Sequence, residues 1–582
     1  SILLAEMAAE RFTLIGFYER RARRILPALF LVMAVCLPFA WLWLLPHDMR
    51  NFTTSLAAVV FFVSNIFFQK QSGYFDSAAE LKPLLHTWSL AVEEQYYLLY
   101  PLLLMLLWRF GKRRIGMILV TISIASLALA QRGVNTDPSA AFFLLPSRSW
   151  ELLIGALVAF HMFEKQEPAA NTLIAEAGSL VGLGLLTCSV FFFDNKTAFP
   201  GLYALAPTIG TALIILFASP ETVVGRLLTQ RLLVGIGLIS YSAYLWHQPL
   251  LAFARHRAPG ELGQLTAGLL ATSALVLAYF SWKYVESPLR SKQSFDRTSI
   301  FRAGITGCLL FFAVGLAGYY SKGFVFRIPE NQRELITYED SSYTKPLQKN
   351  IYRMGTCFLE PKQDSRAFID SCRASDSEDS VLLWGDSHAA ALSHGFRQIY
   401  KNVSQYNASG CPPIKDAVVD WRPHCKGIND HVFQKLGELT PAKIFLHANW
   451  SLYKDQEPVL NLEKTITLIK RTLPATEIIV VGPVPHWTPS LPVLMLTKGL
   501  GLDQQHAIEN ASIEQLSPID NALRDEAMRI GVRYLSPIEV LCSKGNCQAT
   551  VAYNDKTSPI AWDYGHLTEG GSVVVARKLL NE

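Results

Sequence analysis

His86-Thr87-Trp88-Ser89-Leu90-Ala91-Val92-Glu93-Glu94-Gln95-Tyr96-Tyr97 opens a stretch that continues to Leu107 with only Tyr100, Pro101 and Met105 interrupting leucine. An imidazole, two carboxylates, an amide and two phenols therefore stand at the head of an apolar segment. Leu84–Leu107 is long enough to cross a bilayer core about 30 Å thick, which takes roughly 20 helical residues. Outward from it the pattern repeats. Ala28–Leu45 and Phe52–Phe68 precede it, and Ile115–Ala130, Ala141–His161, Leu180–Phe193, Gly201–Ala218, Leu232–Ala254, Leu265–Tyr284 and Ile300–Tyr320 follow. A buried helix of a water-soluble protein does not recur ten times, so this half reads as a multi-pass α-helical membrane domain of about nine to ten apolar segments. From Ser321 to Glu582 the sequence reads like a water-soluble α/β domain. Half of the 582 residues are hydrophobic and 17% are charged, against about 25% charged in soluble domains. That balance excludes a purely soluble chain and a disordered one. A net charge of +5 is small for this length and gives no case for nucleic-acid binding.

Lysine and arginine in short loops set membrane orientation. The clusters are Arg20–Arg24, Arg109–Arg114 and Arg290–Arg297, all assigned to the cytoplasmic side. Three runs lie between the first two clusters, where an even number is required, so one of them does not cross. Phe52–Phe68, which holds Thr53, Thr54, Ser55, Ser64 and Asn65, is the weakest and reads as re-entrant. The final run then carries the chain outward, which places the C-terminal domain outside the cytoplasm. Cysteine usage points the same way. Cys36, Cys188 and Cys308 lie in apolar runs, and the other six are confined to the exported part, as an oxidising compartment favours. Their spacing suggests the pairs Cys357–Cys372, Cys411–Cys425 and Cys542–Cys547. Zinc is the rival reading, but no CxxC pair or paired-histidine spacing supports it, and no metal is expected.

Ionisable groups inside membrane spans are costly and mark cavities or partners. Besides His86–Tyr97, Arg148-Ser149-Trp150-Glu151 and Tyr241-Ser242-Ala243-Tyr244-Leu245-Trp246-His247 are such groups. Interfacial anchoring explains the tryptophans and tyrosines but explains Glu93, Glu94 and Glu151 poorly. FYERRARRILP (Phe17–Pro27), HTWSLAVEEQYYLLYPL (His86–Leu102), RSWELLIGAL (Arg148–Leu157), SYSAYLWHQPLL (Ser240–Leu251) and KYVESPLR (Lys283–Arg290) resemble, in order, the membrane acyltransferase-3 family. That family includes O-acetylases of lipopolysaccharide O-antigen and other envelope polysaccharides. The resemblance implies acetyl-CoA as acyl donor, with Arg20, Arg21, Arg23 and Arg24 near the nucleotide phosphates, which suit arginine's planar fork. It also implies an acyl-transfer cavity lined by Glu94 with His86, Trp88, Glu93, Tyr97, Arg148, Glu151 and His247. Such proteins normally open with a helix bearing a basic residue and, about eleven positions on, a histidine. Here FYERR starts at Phe17 and that histidine has no counterpart. The expectation is that the polypeptide as written does not use acetyl-CoA, and that roughly two further helices upstream would restore that activity.

In the exported part, Ser380-Val381-Leu382-Leu383-Trp384 runs into Gly385-Asp386-Ser387-His388 and then a helical pattern. A serine at a strand-to-helix turn is a place for an exposed nucleophile, although Asp386-Ser387 could equally cap a helix. Ile478–Val484 is a continuous apolar strand, as a parallel sheet covered on both faces requires, and Lys443–Trp450 is another. GDSH at Gly385–His388, Gly410 in ASGCPP, Asn449 in HANW and DxxH at Asp563 and His566 resemble, in order, the SGNH (GDSL-like) hydrolase superfamily. The resemblance implies a three-layer α/β fold with Ser387 as nucleophile, His566 as general base and Asp563 orienting it. The Ser387 and Gly410 amides and the Asn449 side chain would form the oxyanion hole. His388, His394, His424, His447 and His486 are expected to be surface or packing residues.

The expected order is an acyltransferase-3 domain over 1–290, a further helix and linker over 291–353, and a periplasmic SGNH-like domain over 354–582. It matches a polysaccharide O-acetyltransferase of the bacterial inner membrane, whose partners are acetyl-CoA, a polysaccharide or lipid-linked glycan and the bilayer. The alternatives are a membrane-anchored periplasmic carbohydrate esterase, or a flippase of lipid-linked sugars with an external binding module.

Overall fold

The computed structural model of the chain describes residues 2–71, 79–164, 172–194, 197–257, 262–290, 295–338, 340–374, 379–456, 458–510 and 512–581. Two units, Ser1–Phe324 and Val325–Glu582, each gather their own contacts.

Among the described residues of the first unit seven helices are long and apolar enough to cross a membrane: Leu14–Trp43, Thr87–Phe110, Lys112–Thr136, Pro138–Phe163, Leu173–Phe192, Gln264–Arg290 and Arg297–Tyr320. Three of the ten apolar runs are not among these seven. Gly201–Ala218 yields only a short apolar helix, Leu202–Phe217. Leu232–Ala254 lies in a 27-residue helix, Arg231–Arg257, whose hydroxyls, amide and imidazole dilute its hydropathy. Phe52–Phe68 is broken. Pro46–Val60 and Ser64–Lys70 are separate helices, with Phe62 in the left-handed region at φ 53° between them. The polar residues read from the sequence explain how the break is tolerated. Gln95 donates to the freed Phe62 carbonyl at 2.8 Å and to Asn65 Oδ1 at 2.9 Å, and the Ser64 hydroxyl donates to the Thr87 carbonyl at 2.9 Å. Helix Arg297–Tyr320 packs closely because its glycines admit neighbours. A Cβ on Gly318 would sit 2.0 Å from Thr53 Oγ1, and one on Gly307 would sit 2.3 Å from the Phe30 ring. Such small-residue seams substitute for hydrophobic driving force inside a bilayer.

The second unit is built on six parallel strands: β1 (Phe358–Leu359), β2 (Val381–Gly385), β3 (Val403–Ala408), β4 (Lys443–His447), β5 (Glu477–Val481) and β6 (Arg533–Leu535), in the spatial order β1-β3-β2-β4-β5-β6. Every residue of β2 is buried, as expected of a strand covered on both faces. Leu382, Trp384, Ile444, Leu446, Ile478 and Val480 join a core that includes Val432, Leu436, Leu462, Ile466 and Leu523 from the helices on one face. On the other face helix Ser387–Ile399 crosses helix Glu569–Leu580, and a Cβ on Gly395 would stand 2.1 Å from the Ser572 carbonyl. The structure joins Cys357 to Cys372, Cys411 to Cys425 and Cys542 to Cys547. Residues 325–353, read from the sequence as a linking segment, pack within this unit. Leu335 and Tyr352 are fully buried, and Trp562 Nε1 donates to the Tyr352 hydroxyl at 2.9 Å. Chain order reverses at β2, with β3 on one side and β4 on the other. In open α/β sheets ligands bind at the carboxyl ends of the strands at such a reversal.

Candidate active site

Strand β2 ends at Gly385, where a Cβ would lie 1.7 Å from the His447 carbonyl, so only glycine lets the two chains approach this closely. The chain turns at once into helix Ser387–Ile399. Asp386 caps that helix, accepting from the His388 N–H at 2.9 Å. The cap and nucleophile readings of Asp386-Ser387 thus belong to two adjacent residues. The other Asp386 oxygen accepts from the Asn449 N–H at 2.9 Å and from the Tyr453 hydroxyl at 2.8 Å. One buried carboxylate therefore ties the helix that carries Ser387 to the loop that carries Asn449. Burial pushes this carboxyl up to about 6, against hydrogen bonds from Asn449, His388 and Tyr453 that hold it down.

Ser387, His566 and Asp563 meet. Asp563 Oδ1 accepts from the main-chain N–H groups of Gly565 at 2.9 Å and His566 at 2.7 Å, which fixes its remaining oxygen against the imidazole. His566 Nδ1 lies 2.6 Å from that oxygen, Oδ2, and must donate to it. Its Nε2 is then the acceptor, 2.8 Å from Ser387 Oγ, and the serine proton points to it. This order of carboxylate, imidazole and hydroxyl withdraws a proton from serine as the hydroxyl attacks a carbonyl.

Gly410 and Asn449 lie on the loops that follow the two strands beside β2. Gly385 pairs with Asn407 of β3 on one side and with His447 of β4 on the other, so the two loops leave the sheet at the level of Ser387. Gly410 has φ +65°, the left-handed conformation that favours glycine. Asn449 is held at both ends of its amide: Nδ2 donates to the Tyr564 hydroxyl at 3.2 Å, and Oδ1 accepts from Ser451 at 2.7 Å. One N–H of that amide is left for another acceptor.

Sequence reasoning missed the surroundings of the triad. His388 is buried with its ring 4.8 Å from that of His566, and Tyr564, inside the DxxH motif, is 5.2 Å from His566 and from His486. The Tyr564 hydroxyl, having accepted from Asn449, has its own proton left for His388 Nε2 at 3.2 Å. Burial lowers His388 well below its ordinary value and brings His447 and His486 down to about 4, so all three are neutral at neutral pH. Of the other two, His424 is exposed and His394 lies 3.5 Å from Glu569. The position of His388 directly after the nucleophile was the one available signal.

In the first unit the expected cavity residues fall into three groups. Arg21 pairs with Glu94, and its guanidinium lies 3.8 Å from the centroid of the Tyr97 ring, while Glu93 is exposed. Arg148 pairs with Glu151 at 3.2 Å and stands over Trp88 at 5.3 Å. The His86 and His247 rings are 5.4 Å apart, and neither His86 nitrogen finds a partner among the described residues. The four arginines do not act as one cluster. Arg20 pairs with Glu6 at 2.8 Å, Arg23 is buried against Glu19 at 3.0 Å, and Arg24 is exposed. Of the third basic cluster, 291–294 lie outside the described residues, while Arg290 pairs with Glu286 and Arg297 with Glu19.

Two family descriptions match the chain: "Acyltransferase domain" over residues 2–283 and "SGNH domain (fused to AT3 domains)" over residues 356–581. The O-acetyltransferase OatA of Staphylococcus aureus, in strains NCTC 8325 and COL, is 28% identical over 304 residues. That alignment covers 50% of this chain and 50% of the relative, so the chain spans about half the length of the curated relatives it matches. A solved Salmonella ser. Paratyphi A lipopolysaccharide acetyltransferase periplasmic domain is 22% identical, with a TM-score of 0.36, covering 42% of this chain and 98% of that one. The chain thus carries an acyltransferase domain over residues 2–283 and, over residues 356–581, an SGNH domain of the kind fused to such domains.

Proposed function

We propose that the chain is an O-acyltransferase, in the first instance an O-acetyltransferase, that moves an acyl group from acetyl-CoA on the cytoplasmic side to hydroxyls of a cell-envelope polysaccharide. The observation that carries this reading is the hydrogen-bonded line Asp563–His566–Ser387 in a chain whose other half is an acyltransferase domain. The inner membrane and periplasm suit the seven apolar helices and the three disulfides of the second unit. The work divides. The helical unit accepts the acyl group and delivers it outward. Ser387 Oγ attacks the acyl carbonyl as its proton moves to His566 Nε2, and the leaving group departs with that proton. The acyl-serine is then attacked by a sugar hydroxyl, whose proton His566 takes and returns to Ser387 Oγ. Gly410, Asn449 and the Ser387 amide hold the carbonyl oxygen as it gains charge. Splitting the transfer through a covalent ester makes each step easier.

The test is ester-linked acetyl released by mild alkali from envelope polysaccharide of cells carrying the full chain or its Ser387→Ala variant. Loss of the ester in the variant, at equal membrane levels of protein, supports the reading. Equal ester in both removes the second unit from the path.

A further inference from the structure

Trp421 is 52% exposed, yet its surroundings hold it in place. It sits in a tight turn, where Val419 bridges to Arg422 and the Arg422 N–H donates to the Val419 carbonyl at 2.9 Å. The next side chain, Arg422, is almost fully buried and spends its guanidinium on four main-chain carbonyls: Ser409 at 3.1 Å, Glu360 at 2.8 Å, Gln363 at 2.7 Å, and Pro361. The Cys411–Cys425 disulfide closes the loop around the turn. Val419 faces inward into a small core with Leu359, Ala408 and Ile428. A buried cation and a cross-link are a costly way to steady a loop whose exposed tip is an indole.

The place where it is steadied is informative. The position of a Cβ on Gly410 would lie 3.2 Å from Trp421 Nε1 and 3.6 Å from Cδ1, so the indole edge overhangs this glycine, on the loop that leaves β3 next to the end of β2. The indole plane lies 14° from that of Tyr453, and the buried Tyr453 hydroxyl donates to Asp386, the cap of the nucleophile's helix. Trp421 thus presents an open face at the rim of the acyl site, on a base tied to that site.

We infer that Trp421 is the stacking platform for a pyranose ring of the acceptor, holding the sugar so that its hydroxyl rather than water meets the acyl-serine. This deepens the proposed transferase reading and rests on it. A sugar ring has one face of C–H groups and a rim of hydroxyls. An indole offers a broad apolar surface to the first and an N–H to the second, at the low conformational cost of a rigid side chain.

The test uses the full chain in detergent, with p-nitrophenyl acetate as donor and chitotriose as acceptor. It reads the ratio of acetylated chitotriose to free acetate. The expected result is a ratio about tenfold lower in Trp421→Ala, with most of it recovered in Trp421→Phe, because an aromatic face suffices. A variant that is merely unstable loses both products together. An unchanged ratio in Trp421→Ala overturns the inference, whatever the absolute rates. If the unaltered chain releases acetate but acetylates no sugar, the transferase reading fails instead, and binding decides this one. Saturation-transfer NMR with chitotriose is then recorded on Ser387→Ala with and without Trp421→Ala. Signal lost with the tryptophan supports the platform; equal signal in both, or none in either, overturns it.

Discussion

Asp563→Asn is expected to disable His566, the proposed general base, without removing a side chain from the site. Asp563 Oδ1 accepts from two main-chain N–H groups, at 2.9 and 2.7 Å, and an asparagine keeps its carbonyl oxygen in that place. The new amide nitrogen therefore replaces Oδ2 and turns its hydrogens toward His566 Nδ1, 2.6 Å away. Nδ1 has to accept, so the imidazole proton moves to Nε2, which stands 2.8 Å from Ser387 Oγ. An Nε2–H donates to the serine oxygen and cannot take its proton. His566 is 1% exposed, so water has little access to relieve the wrong tautomer. In triads of this kind the wrong tautomer costs about 10⁴ in turnover, or roughly 5.4 kcal/mol at about 1.36 kcal/mol per decade. The assay is hydrolysis of p-nitrophenyl acetate by membranes bearing the full chain, with Ser387→Ala as background. Asp563→Asn is expected within a few-fold of that background at unchanged protein level. Retention of more than a tenth of the wild-type rate would refute the tautomer argument, and with it the assignment of Nε2 as the acceptor.

Asn449→Ala is expected to lower the same rate by ~10²–10³ with little change in KM, the loss typical of one oxyanion donor; a change confined to KM would make Asn449 a substrate-binding group instead. Alkylation of the denatured, unreduced protein is expected to label Cys36, Cys188 and Cys308 alone, since the other six cysteines are paired, and nine labelled thiols would place the second unit in a reducing compartment. Acid is expected to destabilise the second unit between about pH 6.5 and 4. His447 and His486 are lowered to about 4 by burial, so below the ordinary value of about 6.5 the unfolded chain binds more protons, and stability present above that value is lost as pH falls. Asp386, raised to about 6, works in the opposite sense, its protonation favouring the fold as pH drops through that value, but it is one group against these two and His388, which burial lowers in the same direction. A thermal midpoint that falls with acid, and falls less steeply in His447→Gln, is the expected outcome, and a flat profile in the unaltered chain contradicts it.

What could be read in advance was whatever depends on local sequence. Gly385–His388 and Asp563–His566 are short motifs whose spacing carries chemistry, and they meet although 179 residues separate Ser387 from His566. The polar content of Phe52–Phe68 signalled a segment that is not one ordinary span, and the helix break at Phe62 sits among those residues. Other features depend on partners supplied from elsewhere in the chain. Hydropathy of a run does not tell that Ser242 donates to Glu286 at 3.1 Å or that Trp246 donates to Ser281 at 2.8 Å, yet these contacts explain polar groups within helix Arg231–Arg257. In the sequence nothing sets the buried cation Arg422 apart from any loop arginine. Its role appears only when the carbonyls of 360–363 and Ser409 converge on it.

The same distinction decides which imidazole serves Ser387. By sequence His388 is the nearer rival, since it follows the serine directly. The helix forbids it that role: consecutive helical residues do not share a face, and the main-chain N–H of His388 is committed to Asp386 at 2.9 Å. Its Nε2 meets the Tyr564 hydroxyl at 3.2 Å, and burial leaves the ring a weak base. His566 comes from the far end of the chain, but its Nδ1 is seated on a carboxylate that is itself fixed by two amides. In the proposed mechanism that carboxylate stabilises the imidazolium that forms as the serine proton arrives, which no partner of His388 can do, because its neighbours are a phenol and other neutral imidazoles. His388 is thereby left to steady Tyr564, which in turn holds Asn449 at 3.2 Å. In the proposed mechanism the residue adjoining Ser387 in sequence thus acts on the opposite side of the reaction, through Asn449, the proposed donor to the carbonyl oxygen.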